Sequence, residues 1–321
     1  MSFKINFNNE LDEKETRVVY TETMDELLSE DESVVTIDAD LMYAIGLQNI
    51  MDKYPGRVMD VGVAEANMVG VAAGLSYAGK KPYVHSFACF ATRRAFDQIF
   101  ISCAYGRNNI KIFGSDPGIT ASFNGGTHMP FEDIGIMRTI PGSTVIDIAD
   151  NIMLRDITRQ IKDMDGVIYF RSRRNNPVKI YDPSSKFEIG KGNVLVDGDD
   201  VTIITSGIMV SESLLAADML KKEGVSAAVI DMFTIKPIDA DVIEAYAKKT
   251  GAVVTTDNHN ENGGLGDVVA AVLCDRYPVP MKKLSVGDNF GEVGPFDYLV
   301  GRFGLNANGV VEIAKAAIGM K

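Results

Sequence analysis

The sequence predicts an α/β protein made of two doubly wound domains, each with a mainly parallel sheet. Three features of the 321-residue chain lead to this prediction. Continuous apolar runs rich in β-branched residues recur along it. Helical stretches lie between many of these runs, a pattern typical of a parallel sheet covered on both faces. A polar segment that contains two prolines, residues 173–190, then separates two such series.

The predicted elements follow in chain order. Predicted strands cover residues 33–38, 81–87, 109–114, 143–148 and 166–172 in the first series, and 201–207, 226–232, 252–258 and 281–287 in the second. Predicted helices cover residues 150–163, 211–223 and 239–249. The apolar stretch from Val61 to Leu75 could form a further helix, buried on most sides. We expect a domain division at 1–180 and 181–321.

Charge and composition exclude several classes of partner. A net charge of −12 argues against nucleic acid and against anionic membrane surfaces. No apolar run is long enough to span a bilayer, and the first residues lack a signal-peptide core. Cys89, Cys103 and Cys274 lie far apart, with no pair at metal-binding or redox spacing. These features predict a cytoplasmic protein that has no metal site of its own.

Glu65 is the one charged residue in the apolar stretch "VGVAEANMVGVAAGLS", residues 61–76. A carboxylate buried among apolar side chains costs several kcal/mol or more unless it has a partner. This favours a functional carboxyl group. The alternative is a carboxylate at a helix N-terminus, stabilised there by the helix dipole.

Two further stretches hold candidate site residues. "HSFACFATRRAFDQIF" (85–100) places Phe87 and Phe90 three residues apart, and the Gly-rich loop at 114–142 contains His128. That loop follows a strand, and ligands of open α/β sheets bind at the carboxyl ends of strands. The alternatives are core aromatic residues, an ordinary loop and surface ion pairs of Arg93 and Arg94.

Taken together, these motifs resemble one family. "TRVVYTETMDELL", "DADL", "GVAEANM", "SFACFATRRAFDQI", "GGTHMPFEDIGIMRTIPG", "YFRSRR" and "DNHNENGGLGDVV" occur in the order found in the C-terminal half of transketolase. The resemblance covers nearly all of residues 15–321, from the pyrimidine-binding domain to the chain end. It implies the two-domain fold described above and an enzyme that moves a two-carbon ketol unit from a ketose to an aldose.

The resemblance implies thiamine diphosphate as cofactor. Glu65 matches the catalytic glutamate that hydrogen-bonds N1′ of the aminopyrimidine, which would supply the missing partner of this carboxyl group. Protonation there promotes loss of the thiazolium C2 proton and so creates the nucleophile. Phe87 and Phe90 fall where the family stacks an aromatic ring on the pyrimidine. Asp40 falls close to the thiazolium side of the cofactor.

The same resemblance implies roles toward the sugar. His128 matches a histidine aimed at substrate oxygens, and Arg17 and Arg174 match arginines that hold a sugar phosphate. The planar fork of an arginine suits phosphate or sulfonate equally. Asn124 replaces an aspartate that helps to select substrate stereochemistry in many members. An anionic sugar is therefore expected, with the donor, the acceptor and the pathway left open.

Four residues receive no role from the sequence. Asp116 stands where other members carry a basic residue near the phosphate. The segment with Arg93 and Arg94 contains one residue more than that of some family members. The alignment with the family after Phe90 is therefore open. His259 precedes "GGLGDVV", which we interpret as tight helix packing rather than a phosphate-binding loop.

The chain lacks the family's diphosphate motif, GDG followed later by NN. We therefore expect a partner, an N-terminal transketolase subunit, to bind the diphosphate and its Mg²⁺. Homodimerisation through the pyrimidine-binding and C-terminal domains would then give an α2β2 heterotetramer. Three alternatives remain: a 1-deoxy-xylulose-5-phosphate synthase-like chain, a 2-oxoacid dehydrogenase E1 β-like subunit, and a non-catalytic thiamine-binding subunit.

Overall fold

Two sheets form the framework of the protein in a computed structural model that describes residues 3–321. The strands are β1 (Val34–Asp38), β2 (Val58–Asp60), β3 (Lys81–Phe87), β4 (Ile110–Ser115), β5 (Thr144–Asp147), β6 (Val167–Ser172), β7 (Asn193–Val196), β8 (Val201–Thr205), β9 (Ala227–Asp231), β10 (Thr234–Lys236), β11 (Val253–Thr256) and β12 (Met281–Leu284). The first sheet has the order β10-β5-β6-β4-β3-β1-β2, and the second has the order β12-β11-β8-β9-β7.

Helices connect the strands. They are α1 (Thr16–Glu30), α2 (Met42–Ile45), α3 (Gln48–Met51), α4 (Glu65–Tyr77), α5 (Phe96–Gln98), α6 (Asp133–Arg138), α7 (Asn151–Gln160), α8 (Met209–Lys222), α9 (Ala240–Thr250), α10 (Leu265–Arg276), α11 (Phe296–Phe303) and α12 (Ala307–Ile318). Among the described strand pairs, β10 on β5 and β7 on β9 are antiparallel and the others are parallel. The predicted fold class is therefore confirmed.

Strand β10 joins the two halves of the chain. It lies after the polar segment 173–190 in sequence, yet it pairs with β5 at the edge of the first sheet. The second series of elements thus contributes one strand to the first sheet. The division at 180/181 stays a prediction.

The helix expected from Val61 to Leu75 differs from the observed one. Helix α4 begins only at Glu65, and Val63 before it is 69% exposed. Met68, Val69 and Ala72 join the same buried apolar cluster as Val84 of β3. The opposite face is open to solvent, including Asn67, Gly70, Gly74 and Tyr77. The expectation of burial on most sides was wrong because the glycines of the exposed face add no polar side chain and so made that face look apolar.

Strands β1, β3, β4 and β6 are parallel neighbours, so their carboxyl ends lie along one edge of the first sheet. Asp40 follows β1, Phe87 ends β3, Asp116 follows β4 and Arg174 follows β6. This is the edge at which ligands of open α/β sheets bind.

Candidate active site

Glu65 is the first residue of α4 and is 2% exposed. The loop before it is held by Asp60, whose Oδ1 accepts hydrogen bonds from the N–H groups of Gly62 (2.8 Å) and Asp40 (2.9 Å). Gly62 has a φ of +74°, a conformation suited to glycine. Both interpretations of Glu65 therefore meet here, because the carboxyl group is buried and also lies at a helix N-terminus.

In this structure Glu65 has a partner from the chain itself. Arg94 Nη1 lies 2.9 Å from both Glu65 Oε1 and Glu65 Oε2. Sequence reasoning missed this contact, since it treated Arg94 as a surface residue of open register. The only available signal was the extra residue that the arginine pair introduces after Phe90.

Phe87 and Phe90 form an aromatic wall near Glu65. Phe87 ends β3, and Phe90 begins a five-residue π-helical turn, Phe90–Arg94. Their ring centroids are 6.3 Å apart. The ring of His128 meets both edge-on, at 5.9 Å from Phe87 and 5.1 Å from Phe90. The structure thus brings Phe87, Phe90, His128 and, through Arg94, Glu65 into one cluster.

Two guanidinium groups cover this wall. Arg94 Cζ lies 4.3 Å from the centroid of the Phe90 ring, and Arg174 Cζ lies 4.6 Å from that of Phe87. A cation over an aromatic face is attracted by the ring quadrupole. Phe87 and Phe90 therefore each present a ring face on which a planar group stacks, and in this structure that group is a guanidinium.

The loop after β4 carries Asn124 and His128. It runs through two 3₁₀ turns, Gly118–Asn124 and Gly126–His128. Asn124 is exposed and His128 is half-buried. The Thr127 hydroxyl lies 2.9 Å from His128 Nδ1, which leaves Nε2 for another partner. The loop therefore places the His128 imidazole against the aromatic wall and leaves the Asn124 amide exposed.

Asp116 holds Arg174 at the rim of the site. Its Oδ2 lies 2.5 Å from Arg174 Nε, and its Oδ1 accepts the Arg174 backbone N–H at 3.0 Å. Burial raises the pKa of Asp116, and the nearby Arg174 opposes that rise. The residue that the sequence left without a role thus fixes the direction of a candidate substrate arginine.

Arg17 lies beside Arg174 through the backbone. The Arg17 N–H donates to the Arg174 carbonyl at 3.0 Å, although the Arg17 side chain pairs with Glu15 at 2.6 Å. Arg173 points elsewhere, with its Cζ 4.8 Å from the centroid of the Phe296 ring. The two arginines predicted from the sequence are therefore neighbours through the backbone, and Arg173, the residue before Arg174, contacts Phe296 instead.

A buried polar chain supports the Asp40 loop. His85 Nδ1 lies 2.5 Å from Asp38 Oδ2, and His85 Nε2 lies 3.0 Å from Ser115 Oγ. All three residues are 0% exposed, so they cannot touch a substrate as a Ser-His-Asp nucleophile would. Asp38 Oδ1 also accepts the N–H of Leu41 at 2.5 Å and so anchors the turn in which exposed Asp40 has a φ of +63°.

The polar contacts of His259 and Arg93 are with residues other than Phe87, Phe90 and His128. His259 is buried, with Nε2 3.3 Å from the backbone N of Gly135, and burial lowers its pKa to about 4. Arg93 Nε lies 2.9 Å from Glu132 Oε1. Within residues 3–321, no group of three or more His, Cys, Asp or Glu side chains could hold a metal ion. No helix in that range has the length and apolar character to cross a bilayer.

Two family models match the two halves of the fold. The first, "Transketolase, pyrimidine binding domain", covers residues 12–178, and the second, "Transketolase, C-terminal domain", covers residues 190–310. They define the class of protein as a pyrimidine-binding domain followed by a transketolase C-terminal domain. The chain belongs to the transketolase family, as the sequence motifs predicted.

Relatives of similar length are transketolase subunits. A 6-deoxy-6-sulfo-D-fructose transketolase subunit from Clostridium sp. (strain MSTE9) is 47% identical over 308 residues, 96% of each chain. An apulose-4-phosphate transketolase subunit from Phocaeicola vulgatus is 32% identical over 299 residues, 93% of this chain and 96% of its own. These matches confirm the predicted C-terminal transketolase subunit and the transferase class.

A solved structure has the same fold. A chain described as a split gene transketolase, inactive beta4 tetramer, superposes with a TM-score of 0.87 and is 39% identical. The match covers 96% of this chain and 99% of that one. The prediction of a subunit that needs a partner is in keeping with this neighbour.

The site chemistry fits the cofactor that the family implies. An aminopyrimidine is planar, donates hydrogen bonds and stacks on aromatic rings. The Arg94 guanidinium, also a planar donor, already lies over Phe90 and bonds Glu65. The slot between Glu65 and Phe90 therefore accepts a group of this shape and polarity. Glu65 and Phe90 are suited to hold the pyrimidine of thiamine diphosphate.

Proposed function

We propose that this chain is the catalytic pyrimidine-site subunit of a split, thiamine diphosphate-dependent transketolase acting on an anionic sugar. The observation that carries the proposal is the buried Glu65 carboxyl beside the Phe90 ring, with a planar donor group between them. When bound, the cofactor supplies a carbon nucleophile that cleaves a ketose next to its carbonyl group.

The residues of this chain have distinct tasks in the proposal. Glu65 exchanges a proton with N1′ of the pyrimidine, in a site dry enough for that transfer to be controlled. Phe90, with Phe87 beside it, fixes the plane of the ring. Asp40 faces the thiazolium side. His128, with Nδ1 engaged by Thr127, holds or moves a proton at a substrate oxygen.

Arg17 and Arg174 bind the anionic end of the sugar. Support comes from the backbone bond that joins them and from Asp116, which orients Arg174 without covering its remaining donors. Asn124 contributes to the choice of sugar stereochemistry. Sulfonated and phosphorylated sugars are both named for relatives. We commit only to a ketose or aldose with a tetrahedral oxyanion at one end.

The partner subunit completes the site. We propose that it carries the GDG…NN motif, binds Mg²⁺ and the diphosphate, and assembles with this chain as an α2β2 heterotetramer. Mg²⁺ prefers octahedral oxygen ligands shared with phosphates, and no metal-holding group lies within residues 3–321. The solved relative described as an inactive tetramer of β chains supports this requirement. A cytoplasmic location and the domain limits 1–180 and 181–321 belong to the same proposal.

The central experiment replaces Glu65. In complex with the partner, Glu65→Gln should lower turnover about 10²–10⁴-fold, the usual contribution of a positioned proton-transfer group. It should also slow deuterium exchange at C2 of the bound cofactor. The variant should remain folded, because a neutral amide is easier to bury than a carboxylate. Wild-type C2 exchange in the variant would show that the role assigned to Glu65 is incorrect.

A mixing experiment tests the split arrangement. The purified chain alone should show no saturable thiamine diphosphate binding at micromolar concentration by calorimetry. Activity should appear when a chain carrying GDG…NN is added, together with a species of heterotetramer mass. Full transketolase activity from this chain alone, with Mg²⁺ and cofactor, would contradict the proposal.

A further inference from the structure

Arg94 owes its position to the unusual turn after β3. The five residues Phe90–Arg94 form a π-helical turn, and such turns often mark functional sites. The two arginines at its end diverge. Arg93 lies against Glu132 and donates to the Thr127 carbonyl at 3.3 Å, whereas Arg94 reaches Glu65. Only one of the pair therefore enters the slot where the pyrimidine is proposed to bind.

The Arg94 guanidinium makes the two contacts expected of that pyrimidine. Its Nη1 lies 2.9 Å from each oxygen of Glu65, and its Cζ lies 4.3 Å from the centroid of the Phe90 ring. A guanidinium is planar, delocalised and able to stack. It therefore satisfies the carboxylate and covers the aromatic face at the same time.

The pair is asymmetric in burial. The Glu65 side chain is 2% exposed, whereas that of Arg94 is 48% exposed. Arg94 can leave for water at little cost, but its departure leaves a buried carboxylate without a partner, which is the costly case. An incoming donor that replaces Arg94 on Glu65 removes that cost.

We propose that Arg94 is a further positioning residue of the cofactor site. It takes the place of the pyrimidine in the free chain, holds the Glu65 carboxyl group in its orientation, and moves out when the ring binds. This inference rests on the proposed function. The guanidinium and the pyrimidine compete for the same face of Phe90 and the same two oxygens. The free chain is thereby stabilised at the expense of cofactor affinity.

A stability measurement tests the pair in the free chain. Arg94→Met keeps the length and apolar stem of the side chain but removes the donors. It should lower the denaturation midpoint more than Arg93→Met, the matched control in the same turn. The excess loss should disappear in a Glu65→Gln background, where no charge remains to be compensated. Equal losses in the two arginine variants would overturn the pairing.

A binding measurement tests the competition. Thiamine diphosphate is titrated calorimetrically into the Mg²⁺-containing complex of this chain with its partner. Arg94→Met should bind it about three- to tenfold more tightly than wild type, and Arg93→Met should bind it as wild type does. Magnesium diphosphate, which has no ring, should bind all three complexes equally. A purely structural role for Arg94 would lower stability without tightening cofactor binding.

The outcomes separate this inference from the proposed function. One outcome is that Arg94→Met binds thiamine diphosphate no more tightly than wild type while Glu65→Gln binds it more weakly. That outcome would support the cofactor site and reject the role proposed for Arg94. If thiamine diphosphate binds no better than magnesium diphosphate to any complex, the proposed function fails and the inference falls with it.

Discussion

The carboxyl ends of the two sheets carry similar polar residues but differ in what covers them. In the first sheet they face outward: Asp40 is exposed, and the half-buried His128 and Arg174 contact the aromatic wall. In the second sheet they face the first domain. Ser206, after β8, donates to Asp147 Oδ2 at 2.9 Å, and Asn258, after β11, bonds the loop that follows β4. Each parallel sheet therefore has one edge at which a ligand could bind, but only the edge of the first sheet is open to solvent.

Burial also separates the titratable groups of the two edges. After β11, burial raises the pKa of Asp257 to about 7 and lowers that of His259 to about 4. Both shifts favour the neutral form, as expected for a dry junction. The second edge is therefore a support for the first rather than a second site.

The largest expected effect is at the junction between the edges. Arg171 is fully buried in β6, with Nη1 2.7 Å from Asp133 Oδ1 and Nη2 2.9 Å from Asp147 Oδ2. Arg171→Met should lower the free energy of unfolding by about 3–5 kcal/mol, because two buried carboxylates lose their cation. Denaturant titration measures it.

The control for Arg171 is an exposed pair. Arg302 Nε lies 2.8 Å from Glu292 Oε1, and both side chains are more than a third exposed. Arg302→Met should change the free energy of unfolding by about 1 kcal/mol or less. Similar losses in the two variants would mean that burial does not set the cost of removing the cation from its carboxylates.

The next effect is a pH dependence at the covered edge. Asp257 Oδ2 accepts the Leu265 N–H at 2.8 Å, and its folded pKa of about 7 exceeds the ordinary 3.8 because of burial. Ionisation is therefore disfavoured in the folded state, and stability falls as pH rises from about 4 to about 7. Asp257→Asn removes this loss. It should gain roughly 2–3 kcal/mol on wild type between pH 5 and pH 8.

The measurement is a set of denaturant titrations at several pH values. The lowered pKa of His259 makes stability rise with pH between about 4 and 6.5 in both proteins, so it cancels in the difference. Asp163→Asn is the control, because Lys81 and Lys162 lower the pKa of that carboxyl and keep it ionised throughout. A constant difference between Asp257→Asn and wild type would contradict the assigned shift.

The open edge yields a prediction about substrate charge. Arg174→Ala should raise KM for a phosphorylated or sulfonated sugar about tenfold or more, since a charge-assisted hydrogen bond contributes about 1.5–3 kcal/mol. KM for glycolaldehyde, a neutral acceptor, should change little. Arg17→Ala should show the same contrast. Arg173→Ala is measured beside them, because a charge-dependent loss in that variant would move the assignment by one residue.

The sequence predicted the framework because long apolar strands and a charge among apolar residues are local signals. Strands β2, β7 and β10 were missed. Each has only three or four residues, and β10 is defined by pairing with a distant strand. The burial of Glu65 was expected for the same local reason. Its partner was not found, because a π-helical turn changes which side of the chain Arg94 occupies.

The buried polar residues that support the site could not be predicted from the sequence for a different reason. His85 and Asp38 are 47 positions apart, and Asn258 lies 139 positions from Ile119. Their meaning depends on strand order and on the docking of one domain against the other. The sequence showed only polar residues at the ends of apolar strands.

The smallest expected effect joins the two edges through Asn258. This 2%-exposed side chain donates to the Pro117 carbonyl at 2.9 Å and accepts the Ile119 N–H at 3.0 Å. Gly118 between them has a φ of +55°, and a Cβ there would lie 2.1 Å from Asn258 Oδ1. The covered edge thus clamps the start of the loop that carries Asn124 and His128. Asn258→Ala should raise KM for the sugar about three- to fivefold.

Cofactor affinity should not follow KM in this variant, because Glu65 and Phe90 lie on other elements. Ser213→Ala is the matched control, since the Ser213 hydroxyl is equally buried in the second domain but meets Thr256, 3.1 Å away, instead of the loop. It should lower stability while leaving KM unchanged. If both variants lose stability and neither changes KM, the second edge supports the fold alone. If Asn258→Ala weakens thiamine diphosphate binding as well, the clamp acts on the whole site rather than on the substrate loop.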